Sequence, residues 1–206
     1  MCGGDTTFSN NLNFSITSVG FSKNIIFRNN AKSNDNIYIT GNLGDSYIGL
    51  NILKNKINIQ KKYENYFIKK YYLPDIQINL TKTLFKYANS SIDVSDGLIA
   101  DLDKMINKQK LSYVLYLNKI PISQNLKRLI KKNKLNKSNL ISNGDDYQIL
   151  FTASPNKARI IQDVSKNFGI KITKIGKFTS RNKKSIIIDQ KGKQIVIKIK
   201  GYTHKF

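Results

Sequence analysis

The chain has 206 residues with 35 Lys and Arg against 13 Asp and Glu, a formal net charge of +22, 40% hydrophobic residues and one Cys. That length buries a sizeable core, and the apolar content excludes a disordered chain despite the charge. No run of about eighteen apolar residues is present to span a membrane as a helix, and one Cys excludes a disulfide framework or a Cys-based zinc site.

Residues 12–21 (LNFSITSVGF) alternate apolar and polar positions and predict a strand. A polar loop containing Arg28 leads to a short strand, IYIT (37–40), and GNLGDSYIGLNILKN (41–55) reads as a glycine turn feeding a helix. YENYFIKKYY and IQINLTKTLFKYA, separated by Pro74, predict two further helices, and SSIDV (90–94) a strand that runs into Ser-Asp-Gly. From 97 to 109 the apolar residues Leu98, Ile99, Leu102, Met105 and Ile106 fall on one face of a helix. SYVLYL (112–117) predicts a strand, 123–132 a helix with Leu126, Leu129 and Ile130 inward, and 147–153 a strand. Pro155 suits the start of another helix, and ITKIGKF, SIIIDQ and QIVIKIK are three closing strands. The pattern is a mixed α/β or α+β domain without repeats or low-complexity linkers.

The charge is lopsided: residues 101–206 hold 24 basic and 6 acidic residues, against 11 and 7 in residues 1–100. Only 4 of the 35 basic residues are Arg, the residue that phosphate and base-edge recognition favours. Lys, Ile and Asn make up 87 of the 206 residues, and A/T-rich codons favour all three. Compositional drift therefore accounts for the positive charge, and no nucleic-acid-binding motif accompanies it.

The acidic minority is more informative, because 12 of its 13 members are Asp and the other is Glu64. Short carboxylates suit turns, helix starts and hard-metal sites. Three Asp-bearing turns stand out: Gly3-Gly4-Asp5-Thr6-Thr7, Asp93-Val94-Ser95-Asp96-Gly97 and Gly144-Asp145-Asp146-Tyr147. Asp at any one turn or helix N-cap is ordinary, whereas three glycine-flanked cases in an acid-poor chain suggest a shared site. A helix N-terminus after Gly97 can receive an anion, with Asp93 and Asp96 available to a divalent cation facing it. Neither GxxxxGK[ST] nor GxGxxG occurs.

In order, GGDTT (3–7), SITSVG (15–20), Arg28, NDNIYITGNLGDS (34–46), DVSDGLIADL (93–102), NGDDYQILFT (143–152) and GYTHKF (201–206) resemble the thiamine-monophosphate kinase family. That family belongs to the aminoimidazole ribotide synthetase-related superfamily. The resemblance implies transfer of the γ-phosphoryl of ATP to thiamine monophosphate, with Mg²⁺ ions held by carboxylates; separately, the single Cys points to a reducing compartment, and the cytoplasm is the expected location. The resemblance also implies Gly4, Asp5, Arg28 and Ser95 as ATP contacts, Asp5, Asp93 and Asp96 as metal ligands, and Asp145 and Tyr202 as substrate contacts. Asp145 stands where the family usually has Glu, and Lys205 before Phe206 departs from the usual ending. His204 reads as a structural hydrogen-bonder, Asp35 as a turn residue and Asp45 as a helix-start residue.

In the family, GGDTT follows an N-terminal domain of about a hundred residues that carries further Asp ligands, part of the ATP pocket and most of a homodimer interface. The expectation is therefore a remnant of that domain at 1–27 and a C-terminal α+β domain at 28–206. Such a chain alone would bind ATP weakly and turn over slowly or not at all, and dimerisation would be compromised. The rival expectations are an inactive remnant or binding module and, more remotely, a basic nucleic-acid-binding domain. No membrane partner is expected.

Overall fold

The computed structural model describes residues 16–107, 109–133, 135–180, 184–197 and 201. The strands are β1 (Asn36–Thr40), β2 (Ser90–Asp93), β3 (Leu111–Tyr116), β4 (Ile149–Ala153), β5 (Ile172–Ser180), β6 (Ile186–Ile188) and β7 (Gln194–Ile195). The helices are α1 (Asp45–Leu53), α2 (Lys61–Tyr72), α3 (Ile78–Leu84), α4 (Leu98–Ile106), α5 (Gln124–Asn133), α6 (Lys137–Ile141) and α7 (Ala158–Phe168).

The strands form one sheet in the order β2-β4-β1-β5-β3-β6-β7, antiparallel except where β3 pairs with β6. Alternation along β1 explains why both faces are covered. Ile37 and Ile39 point into a large core with Phe67, Leu98, Leu102, Met105, Leu126 and Phe178. Tyr38, between them, points the other way and joins Phe151, Leu80, Leu84 and Ile161 beneath α3 and α7. Tyr38 lies opposite Phe151 across the β1–β4 ladder, and their rings stack at a centroid distance of 5.3 Å. Such a pair contributes about 0.5–1.5 kcal/mol beyond the area it buries.

The apolar face expected for 97–109 is the buried face of α4, with Leu98, Ile99, Leu102 and Met105 inward. Asp35 accepts the Lys32 N–H within a turn, and Asp45 is the first residue of α1, as their sequence contexts suggested. Pro155 opens a 3-10 turn that runs into α7.

The expected strand at 12–21 does not form over its described part. Residues 16–21 are irregular and exposed, and no described strand lies alongside to satisfy an alternating ladder. The expected strand at 194–200 is shorter, with Gln194–Ile195 paired to β6 and 198–200 outside the described residues. The short helix α6 was not anticipated. Its five residues are too few to show a helical period, and it starts because the Asn136 side chain accepts the Ser138 N–H.

Candidate functional site

The Ser-Asp-Gly turn leaves the end of β2 and opens α4, and one carboxylate shapes it. Asp101 Oδ2 accepts the N–H groups of Ser95, Asp96 and Gly97, each at 3.1 Å. These N–H groups belong to the turn that leads through the N-cap Gly97 into α4, so Asp101, in the first turn of α4, fastens that turn to its own helix. Its side chain is buried, and burial pushes its carboxyl pKa upward against the pull of Lys104 and the backbone N–H groups. Lys104 bridges the other Asp101 oxygen, at 2.7 Å, to Asp96.

The Gly144-Asp145-Asp146-Tyr147 turn is fastened to this loop by backbone. Asp145 N–H donates to the Ser95 carbonyl at 3.0 Å, Tyr147 N–H to Val94 at 2.9 Å, and Val94 N–H to Gln148 at 2.9 Å. The turn is tight: Asp145 has φ 66° and Tyr147 φ 49°, conformations that Asp accepts more readily than Tyr. Gly201, the first residue of the terminal GYTHKF motif, packs on the same loop. A Cβ there would stand 2.4 Å from Ala100 Cβ and 2.8 Å from the Asp96 carbonyl oxygen.

The opposite wall comes from α1 and α2. Asp146 is buried and accepts the Gly44 N–H at 2.8 Å and the Ser46 N–H at 3.4 Å, so it caps α1 from across the fold. Its carboxyl is pushed up to about 8, chiefly by burial and secondarily by the charge of Asp45. Asp45 is itself held by the Ser123 hydroxyl at 2.7 Å and the Tyr66 hydroxyl at 2.8 Å, and burial raises its pKa too.

Between the walls lies a cleft of about 510 Å³ lined by Ser95, Asp96, Gly144, Asp145 and Tyr147 on one side and by Tyr47, Leu50, Lys54, Lys56 and Tyr71 on the other. Asp145 is pushed upward by burial and by Asp96, and Lys54 opposes that shift. The Tyr147 hydroxyl is raised by burial and by Asp145, Asp93, Tyr71 and Asp96, so three carboxylates act on one phenol. The cleft thus combines acidic groups on one wall with Lys54 and Lys56 on the other.

Of the expected site residues, Ser95, Asp96 and Asp145 line this cleft together. Asp93 ends β2 with its side chain exposed, and its charge reaches Tyr147. Arg28 sits in an exposed turn and does not line the cleft. Gly4, Asp5, Tyr202 and His204 lie outside the described residues. No three His, Cys, Asp or Glu side chains converge on one metal position among the described residues. Sequence reasoning passed over Asp101, Asp146, Lys54 and Lys56. Asp101 left a trace as a charge on the otherwise apolar face of α4, and Asp146 as the second Asp of the acidic turn, but neither was given a role.

A seven-stranded mixed sheet with helices on both faces and two interlocked acidic turns defines an aminoimidazole ribotide synthetase-like fold. A Thermus thermophilus structure and the hydrogenase maturation protein HypE of E. coli share it, at 14% identity each and TM-scores of 0.65 and 0.66. No family model matches the sequence. The chain is 38% identical over 99% of its length to the thiamine-monophosphate kinase of Buchnera aphidicola subsp. Schizaphis graminum and 33% identical, over the same share, to that of Escherichia coli K12. A thiamine monophosphate kinase structure from Aquifex aeolicus matches with a TM-score of 0.66 at 27% identity, covering 82% of this chain and 54% of that one. AaThiL complexed with AMPPCP and TMP matches with a TM-score of 0.70 at 27% identity, over 87% of this chain and 54% of that one. By this similarity the chain is related to thiamine-monophosphate kinases, and it spans 63% of the length of the two curated relatives above.

Proposed function

We propose that the acidic cleft serves ATP-dependent phosphorylation of thiamine monophosphate to thiamine diphosphate. The observation that carries this reading is the joining of Ser95-Asp96 to Asp145 in one cleft that also holds Lys54 and Lys56. The relatives' names and the AaThiL complex with AMPPCP and TMP support it. The reaction forms a bond between a phosphate oxygen of thiamine monophosphate and the γ-phosphorus and breaks the bond from that phosphorus to the β-bridging oxygen, releasing ADP. Two anions must approach one another, so the chemistry needs positive charge and alignment more than a nucleophilic side chain.

The residues suit that task. Lys54 and Lys56 offset phosphate charge, and the backbone at Ser95 and Asp96, fixed by Asp101, holds its geometry without reorganising. Asp145 orients the acceptor substrate. Asp93 and Asp96 would hold Mg²⁺, a cation that binds through one or two carboxylates while keeping waters and phosphate oxygens, so a three-carboxylate cluster is not required. When bound, Mg²⁺ supplies neutralisation of the phosphate charge. Gly4, Asp5 and Arg28 are assigned to the nucleotide and Tyr202 to the thiamine ring on the family pattern.

We read residues 28–206 as the C-terminal domain of this fold and 1–27 as belonging with an N-terminal ATP-binding and dimerisation domain. The exposed, irregular course of 16–21 supports that division. The positive charge is assigned to composition rather than to a nucleic-acid partner, and the cytoplasm is the expected compartment on the single Cys. Calorimetry with Mg·AMPPCP and thiamine monophosphate, alongside thiamine diphosphate formation from ATP, tests the function. Asp96→Asn should weaken nucleotide binding or slow transfer at least about tenfold with the circular dichroism unchanged. A folded chain that binds neither ligand, or an Asp96→Asn variant that behaves as wild type, would refute the assignment.

A further inference from the structure

A second cleft shares no lining residue with the acidic one. It has a volume of about 460 Å³, within the range of small-molecule sites, and lies between residues 58–60, α2 and α5. Ile59, Tyr63, Phe67 and Leu129 form its apolar part, and Arg128 and Lys132 its charged rim. Tyr63 and Phe67 are one turn apart on α2, as are Arg128 and Lys132 on α5, so each pair forms a row along its helix.

No carboxylate lines this cleft among the described residues, and neither Arg128 nor Lys132 forms an ion pair with a described residue. Lys62 stands over the Tyr63 ring at 4.9 Å from its centroid. The Tyr63 hydroxyl is drawn below the ordinary phenol range by Lys62 first and by Arg128 after it. Positive charge therefore concentrates on an aromatic wall with no acidic group to balance it, and an anion would relieve that repulsion. Lys enrichment does not fully explain the arrangement, because one of the two cations on its rim, Arg128, is one of only four Arg in the chain.

We propose that this cleft binds a small molecule made of a flat apolar ring bearing a phosphate group. The ring lies against Tyr63 and Leu129, and the phosphate is received between Arg128 and Lys132. Binding here is independent of the phosphoryl-transfer assignment.

The test is a fluorescence titration of the full chain with 1-naphthyl phosphate at physiological salt. Saturable binding is expected, weakened at least about tenfold in the Arg128→Ala/Lys132→Ala double variant. Both side chains are exposed, so the fold should survive, with circular dichroism as the check. Inorganic phosphate and 1-naphthol, each offering half of the ligand, should each compete at least about tenfold less well than the whole. Lys54→Ala, which alters only the acidic cleft, should leave the affinity unchanged. Absence of saturable binding, equal affinity in the double variant, inorganic phosphate competing as well as the whole ligand, or loss on Lys54→Ala instead would each overturn the proposal.

Discussion

The carbonyl oxygen of Ser95 lies 1.7 Å from the place a Cβ on residue 144 would occupy, so the two acidic turns meet backbone to backbone at Gly144. The obstructing atom belongs to the main chain and cannot rotate away. Gly144→Ala must therefore push the turns apart, lengthening the Asp145-to-Ser95 hydrogen bond. A loss of about 1–3 kcal/mol or more is expected in urea unfolding. Unchanged stability would mean that the turns are not in contact.

Asp101 and Lys104 give a contrast between buried and exposed charge. Asp101→Ala strips an acceptor from three N–H groups at a helix start and should cost at least about 1–3 kcal/mol. Lys104→Met removes the cation shared by the partly exposed Asp96 and the buried Asp101, but leaves Asp101 its three backbone donors, so it should cost less than Asp101→Ala. Equal costs would show that the ion pair, rather than those backbone hydrogen bonds, holds the loop.

Asp146 should contribute a pH dependence to stability. Its folded pKa, near 8, lies above the ordinary carboxyl value, so between those values the folded state binds a proton that the unfolded state has released. Stability from this group is therefore fully present below the ordinary value, near pH 4, and falls as pH rises towards 8, with no further loss above it. Urea midpoints at pH 5, 7 and 9 should decline in that order, and Asp146→Asn should flatten the decline. A wild-type profile that rises from pH 5 to 7 would contradict the assignment.

How much of this was legible beforehand depends on the distance over which each residue acts. The α4 face and the alternation in β1 are local periodicities, and both were readable from sequence. Ser95, Asp96 and Asp145 were marked by glycines beside them. Asp146 was quoted in the same motif, yet its role rests on a hydrogen bond to Gly44, 102 residues away, and no local pattern carries that information. Lys54 was indistinguishable from the other Lys in a Lys-rich chain until the fold placed it opposite Asp145. The alternation at 12–21 misled over its described part, 16–21, because alternation describes a strand's faces but cannot supply its neighbour.

Tyr147 offers a test of local strain. A bulky residue at φ 49° stores about 1–3 kcal/mol that Asn or Gly would not. Because its side chain is 43% exposed, Tyr147→Asn loses little packing and should leave stability unchanged or raise it by up to about 1 kcal/mol. Its ring borders the acidic cleft, so the same change should weaken thiamine monophosphate binding at least about threefold in calorimetry. A variant that is markedly less stable would show that the ring is a core element.

The sheet order also dictates when this protein can fold during synthesis. β1 sits at the centre of the sheet, yet both of its neighbours, β4 and β5, follow in the last third of the chain. As the ribosome releases residues 36–40, those partners have not been made. The central ladder must wait, with its apolar residues held off until Ile149 and beyond emerge, and long-range pairing of this kind is slow to nucleate. The α1–α2 hairpin can form early, but its cap arrives with Asp146, just ahead of β4. Completion of the acidic cleft and closure of the sheet are therefore one late event, and a nascent chain stopped before residue 146 would carry neither.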